Sequence, residues 1–90
     1  MYFININHNR IEGNGEDGIQ IIDIPEYSQR ILRITENLFI NNAMAGLGVM
    51  DSANSVEDYR GADIPEEVIV MNNTFSGNNY GFTGGGNITF

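Results

Sequence analysis

The chain has no cysteine and no tryptophan, only two prolines among its 90 residues, and four basic residues, all arginine, against twelve acids. Without cysteine, neither a disulfide nor a thiolate metal site can supplement the core. The net charge of -8 repels polyanions, so neither nucleic acid nor an anionic membrane is an expected partner unless a cation bridges the two. No apolar run approaches the roughly 20 residues that span a bilayer. The opening MYFININHNR also lacks the basic start and hydrophobic segment of a secretion signal. Helical periodicity is missing as well: no window of about 11 residues sustains apolar positions at i, i+3, i+4 and i+7. A chain of this length makes one domain with a narrow stability margin.

What the chain has instead is one pattern stated three times. HNRIEGNGEDGI (His8–Ile19), ENLFINNAMAGL (Glu36–Leu47) and NNTFSGNNYGF (Asn72–Phe82) place asparagine, an apolar residue and glycine in the same order. Centred on one asparagine, the first unit reads Ile4-x-Ile6-x-x-Asn9-x-Ile11, then Asn14 and Gly18-Ile19-x-Ile21. The second reads Leu32-x-Ile34-x-x-Asn37-x-Phe39, then Asn42 and Gly46-Leu47-x-Val49. The third reads Val68-x-Val70-x-x-Asn73-x-Phe75, then Asn78 and, one residue early, Gly81-Phe82; Ile88-x-Phe90 begins a fourth. Registration at so many positions marks an internal repeat.

Within each unit the apolar positions alternate with period two, in runs of about three to five residues separated by Asn, Gly, Ser and Asp. Short strands joined by tight turns make one coil of a solenoid, and stacked coils put like side chain on like side chain. The expected fold is therefore all-β: a parallel β-helix of three coils, about 1–30, 31–67 and 68–87, and the start of a fourth at 88–90. Stacking predicts a ladder of Asn9, Asn37 and Asn73, whose amides satisfy polar groups that the turns would otherwise bury unpaired. Gly18, Gly46 and Gly81 then suit turns that need positive φ or close approach to the next coil.

The spacing between successive ladder asparagines exceeds the 20 to 25 or so residues that a minimal coil needs. The surplus falls twice in the same place, Ile22–Arg30 and Asp51–Glu67, and predicts two loops projecting side by side from one edge. Each contains an Asp-Ile-Pro-Glu sequence, with Pro25 and Pro65 expected to break sheet pairing. The loops also hold Tyr27, Asp58, Tyr59 and Arg60. A tyrosine ring can stack on a sugar while neighbouring acids and the guanidinium hydrogen-bond its hydroxyls, which makes these four the candidate substrate-binding residues.

The Leu-Arg-Ile-Thr-Glu-Asn-Leu-Phe run at Leu32–Phe39 also fits the leucine-rich repeat core, but each unit here continues into Asn, Gly and another alternating strand rather than a helix. The whole pattern resembles the right-handed parallel β-helix, or pectate-lyase-like, family, and the match covers nearly the whole chain. That resemblance implies a carbohydrate-interacting segment with a binding or scaffold role, placed outside the cell or at its surface, with polysaccharide as partner. The alternatives it carries are a fragment of a polysaccharide lyase or glycoside hydrolase acting on acidic polysaccharide, and a structural solenoid of the adhesin or tailspike type.

Catalytic residues do not emerge. Glu16 and Asp17 lie where some hydrolases of that family carry acids, but the neighbouring units offer no second acidic row above them. The arginines Arg10, Arg30, Arg33 and Arg60 fall on different elements, and the sole histidine, His8, reads as exposed polar surface in a turn. GNGEDGI at Gly13–Ile19 matches one copy of a calcium-binding nonapeptide, leaving Asp17 as the single calcium option; no cofactor is expected otherwise. The strands at Met1–Ile6 and Asn87–Phe90 carry no polar cap, which predicts end-to-end stacking on further coils or another chain.

Overall fold

The computed structural model describes residues 2–23, 30–51 and 63–90. Its ten strands are β1 (Tyr2–Asn7), β2 (Arg10–Glu12), β3 (Ile19–Asp23), β4 (Arg30–Thr35), β5 (Leu38–Ile40), β6 (Ala45–Asp51), β7 (Asp63–Met71), β8 (Thr74–Ser76), β9 (Tyr80–Thr83) and β10 (Gly85–Thr89). There is no helix among the described residues. The strands form three sheets in which every third strand is a neighbour: sheet A is β1-β4-β7-β10, sheet B is β2-β5-β8 and sheet C is β3-β6-β9. All pairs are parallel. An all-β chain of wholly parallel sheets with this strand order is compatible with a β-helix.

The register turns the sequence pattern into rows. Ile4, Leu32, Val68 and Ile88 are aligned across sheet A, as are Ile6, Ile34 and Val70. Ile11, Phe39 and Phe75 align in sheet B, and Ile19, Leu47 and Phe82 in sheet C. These residues, with Ile21 and Val49, make the core. The middle unit carries most of it, since Ile34, Phe39, Leu47 and Val49 are fully buried with a unit on either side. The Phe39 and Phe75 rings lie 4.7 Å apart and 5° from parallel, so the stack continues through the aromatic positions.

Two left-handed corners turn the chain between sheets. His8, Glu36 and Asn72 have φ of 56°, 57° and 58° at the corner between sheets A and B. Gly13, Asn41 and Gly77 have φ of 68°, 54° and 70° between sheets B and C. Of the two reasons expected for Gly18, Gly46 and Gly81, positive φ or close approach, positive φ is not found: the left-handed residues stand immediately before the asparagines. Gly18 and Gly46 serve close approach: a Cβ on Gly18 would sit 2.6 Å from the Gly46 carbonyl oxygen, and one on Gly46 would sit 2.6 Å from Phe75 Cδ1.

The strands reach further into the expected loops than the composition suggests. β3 runs to Asp23, β6 to Asp51, and β7 starts at Asp63. Pro65 does not end the pairing but falls inside β7, where the ladder to β10 passes from Ile64↔Gly86 to Val68↔Ile88. Three residues of β7 oppose one of β10 there, and an irregularity of that kind is where a residue without an N–H fits. Pairing of β7 with β4 begins only at Glu67, so Pro65 owes no hydrogen bond on that side. Pro25 lies outside the described residues.

Candidate functional site

The corners position the polar interior. A left-handed residue turns the chain so that the next side chain, an asparagine, points toward the neighbouring unit. Asn37 Oδ1 accepts from the Asn9 backbone N–H at 3.0 Å and from Asn9 Nδ2 at 3.1 Å. Asn37 in turn donates its own N–H (2.9 Å) and Nδ2 (3.1 Å) to Asn73 Oδ1, and Nδ2 also donates to the Ile6 carbonyl at 2.9 Å. The Asn37 amide therefore uses both hydrogens, and its oxygen takes two donors. That saturation is what allows Asn37 to be only 1% exposed.

A second row of the same kind was not singled out by sequence reasoning, although its spacing was on view. Asn14 donates N–H (3.2 Å) and Nδ2 (2.8 Å) to Asn42 Oδ1, and Asn42 donates N–H (3.0 Å) and Nδ2 (2.7 Å) to Asn78 Oδ1. Asn42 Nδ2 also reaches the Ile11 carbonyl, and Asn78 Nδ2 the Phe39 carbonyl. In both rows the bonds to side-chain oxygens run one way, from the first unit toward the third, while the second Nδ2 hydrogen of Asn37, Asn42, Asn73 and Asn78 donates back to a carbonyl of the preceding unit.

Asp17, the single calcium option, is seated against the next unit. Its Oδ1 accepts from the Ala45 N–H at 2.9 Å, and its Oδ2 is buried with no hydrogen-bond partner among the described residues. The carboxylate lies over Gly48: a Cβ there would be 2.2 Å from Asp17 Oδ2 and 3.3 Å from Thr83 Oγ1. Among the described residues no group of three or more acidic or histidine side chains converges as a metal centre would. Glu16 is exposed.

His8 and Arg10 are exposed, while Arg30 and Arg33 are half-buried. His8 Nε2 contacts Glu36 Oε2 at 2.6 Å across two units, both side chains exposed, and Arg10 pairs with Glu12 on β2. Arg30 and Arg33 share β4, contrary to the expectation that the arginines fall on different elements. Three residues apart on a strand, they face opposite ways. Arg33 covers the ring of Phe3 at 4.1 Å on the outer side of sheet A, and Phe3 remains 50% exposed. Tyr27, Asp58, Tyr59 and Arg60 lie outside the described residues. The strands that lead into their segments do not: Asp23 at the end of β3 pairs in register with Asp51 at the end of β6.

At the edge of the third unit, Val70, Met71, Asn72, Asn73, Phe75 and Phe90 line a cavity of about 280 Å³. No protein-family model, curated protein or solved structure matches the chain.

Proposed function

We propose that this chain is a right-handed parallel β-helix of the pectate-lyase-like kind, acting as a carbohydrate-interacting module with a binding or scaffold role. Support for the handedness is general: parallel strands of one sheet joined by a crossover coil right-handed in about 98% of cases, and β1→β4→β7→β10 is such a series. The observation that carries the ligand reading is the Asp23↔Asp51 register. It sets the ends of β3 and β6 one strand spacing apart, about 4.8 Å, and in the sequence Tyr27 follows the first of these ends and Asp58-Tyr59-Arg60 the second. Two tyrosines with acids and a guanidinium beside them offer ring faces and hydrogen-bond partners to adjacent residues of a polysaccharide.

A glycan array that includes neutral and uronic-acid oligosaccharides, run with and without calcium, tests this. The expected result is binding that the Tyr27→Ala, Tyr59→Ala double variant lowers at least tenfold and Arg10→Ala leaves unchanged. An array with no binder, or a double variant that titrates like the parent, would leave a structural solenoid as the reading.

A further inference from the structure

We propose that the third-unit end of one molecule receives the first-unit end of a second copy, head to tail, with β1 of the incoming copy replacing β10 on β7. This is independent of the carbohydrate reading and rests on the complementarity of the two ends. The bonds to asparagine Oδ1 run one way, so the rows leave unlike remainders. Among the described residues, Asn73 and Asn78 have backbone N–H groups without a partner, and Asn9 Oδ1 and Asn14 Oδ1 without a donor. Donors and acceptors are each five residues apart and set by the same pair of corners, so one end matches the other in kind and spacing.

Asn9 shows how an unfilled place differs from a filled one. Inside the molecule Nδ2 of each row asparagine donates to a carbonyl of the preceding unit, Ile6 for Asn37 and Ile34 for Asn73. Asn9 has no preceding unit among the described residues, and its Nδ2 falls back on its own Asn7 carbonyl at 2.9 Å. For the Asn9 of an incoming copy the equivalent acceptor is the Val70 carbonyl of the receiving molecule. The apolar rows agree: Ile11 aligns with Phe39 and Phe75, so an incoming Ile11 lies against the open side of Phe75, at the cavity of about 280 Å³.

β10 stands in the lane that β1 would need. Its register on β7 shifts between Gly86 and Ile88. It is entered through Gly84, with φ of 103° there and 99° at Gly86. β1, by contrast, pairs with β4 over six consecutive residues. By the aligned registers an incoming Ile4 takes the place of Ile88 opposite Val68, and an incoming Ile6 faces Val70. The more continuous strand displaces the irregular one, and β2 and β3 of the incoming copy then extend sheets B and C.

The chain has no cysteine, so one engineered pair gives a reversible lock. Ile69 and Thr89 are partners in the β7–β10 ladder, and adjacent strands lie within disulfide range. The Ile69→Cys, Thr89→Cys variant should sediment as a monomer when oxidised and associate when reduced, as the parent should between 1 and 100 µM (about two decades, enough to cross a micromolar Kd). Asn14→Arg puts a cation where an acceptor is needed, on an exposed residue, and should be monomeric alone. Mixed, the oxidised lock and Asn14→Arg should form a one-to-one complex, because each supplies the end the other lacks. A parent that stays monomeric throughout, an oxidised lock that associates as well as the reduced one, or a mixture that forms no complex would each overturn the proposal. Unchanged circular dichroism of both variants shows that the ends, and not the fold, were altered.

Discussion

Asn42 uses every hydrogen-bonding group of its side chain while only 2% exposed. Asn42→Ala strands the Asn14 backbone N–H and amide and the Ile11 carbonyl, and leaves Asn78 Oδ1 only the backbone N–H of residue 42; it should cost about 1–3 kcal/mol, as buried polar groups left unpaired do. Asn14→Ala should cost far less, because the Asn14 backbone N–H still reaches Asn42. Urea denaturation of the two variants tests the ordering, and equal midpoints would deny the row a structural role. Gly48→Ala drives a Cβ into the Asp17 carboxylate, and overpacking of this sort costs about 1–3 kcal/mol. In an Asp17→Gly background the same substitution should be nearly free, so a double-mutant cycle without coupling would refute the contact. The asparagine spacing was readable in the sequence because a ladder demands the same residue at the same step in each unit. The seat of Asp17 was not, since turn residues follow no period and nothing in Gly13–Ile19 shows that its carboxylate folds across the next unit's Gly48.

The strands were legible from period two, and the units from their asparagines, but strand ends and corners were misplaced. Leu32-x-Ile34 and Val68-x-Val70 announce their faces, whereas Asp63-Ile64-Pro65-Glu66 looks like loop and yet pairs with β10 around the irregularity at Pro65. The corners were missed for a related reason. Left-handed backbone was expected at glycine, but tertiary stacking imposes it on His8, Glu36, Asn41 and Asn72 as well. Glu36 is the costliest of these occupants, because left-handed geometry crowds its Cβ against the following carbonyl oxygen at a cost of roughly 1–2 kcal/mol, which asparagine offsets with local side-chain hydrogen bonds. Glu36→Asn should therefore raise the thermal midpoint even though it removes the exposed contact to His8, since exposed pairs contribute little. A lower midpoint would mean that the His8–Glu36 contact outweighs the backbone relief.

Across the whole molecule, 28 residues separate Asn9 from Asn37 and 36 separate Asn37 from Asn73, yet the rows remain in register. The surplus is taken up between Asp51 and Glu67, so each unit is keyed by its own corners rather than by its length. The net charge of -8 opposes contact between copies. Association of the chain should accordingly strengthen as salt rises from about 0.01 M, where the Debye length is roughly 30 Å, to about 0.15 M, where it is roughly 8 Å. Sedimentation at the two ionic strengths reads this directly, and weakening with salt would point to an interface governed by attraction between opposite charges.

The one-way run of the bonds to asparagine Oδ1 also bears on the symmetry of the proposed contact. A two-fold axis at either end would set row N–H groups against N–H groups, or row Oδ1 atoms against Oδ1 atoms, so the isologous dimer, the commonest closed assembly, does not pair the rows. What the geometry permits is a translation with rotation along the direction in which strands are stacked, an operation that never returns to its starting point. Growth by that operator has no intrinsic last member, and its length would be set by concentration and by whatever occupies the lane beside β7.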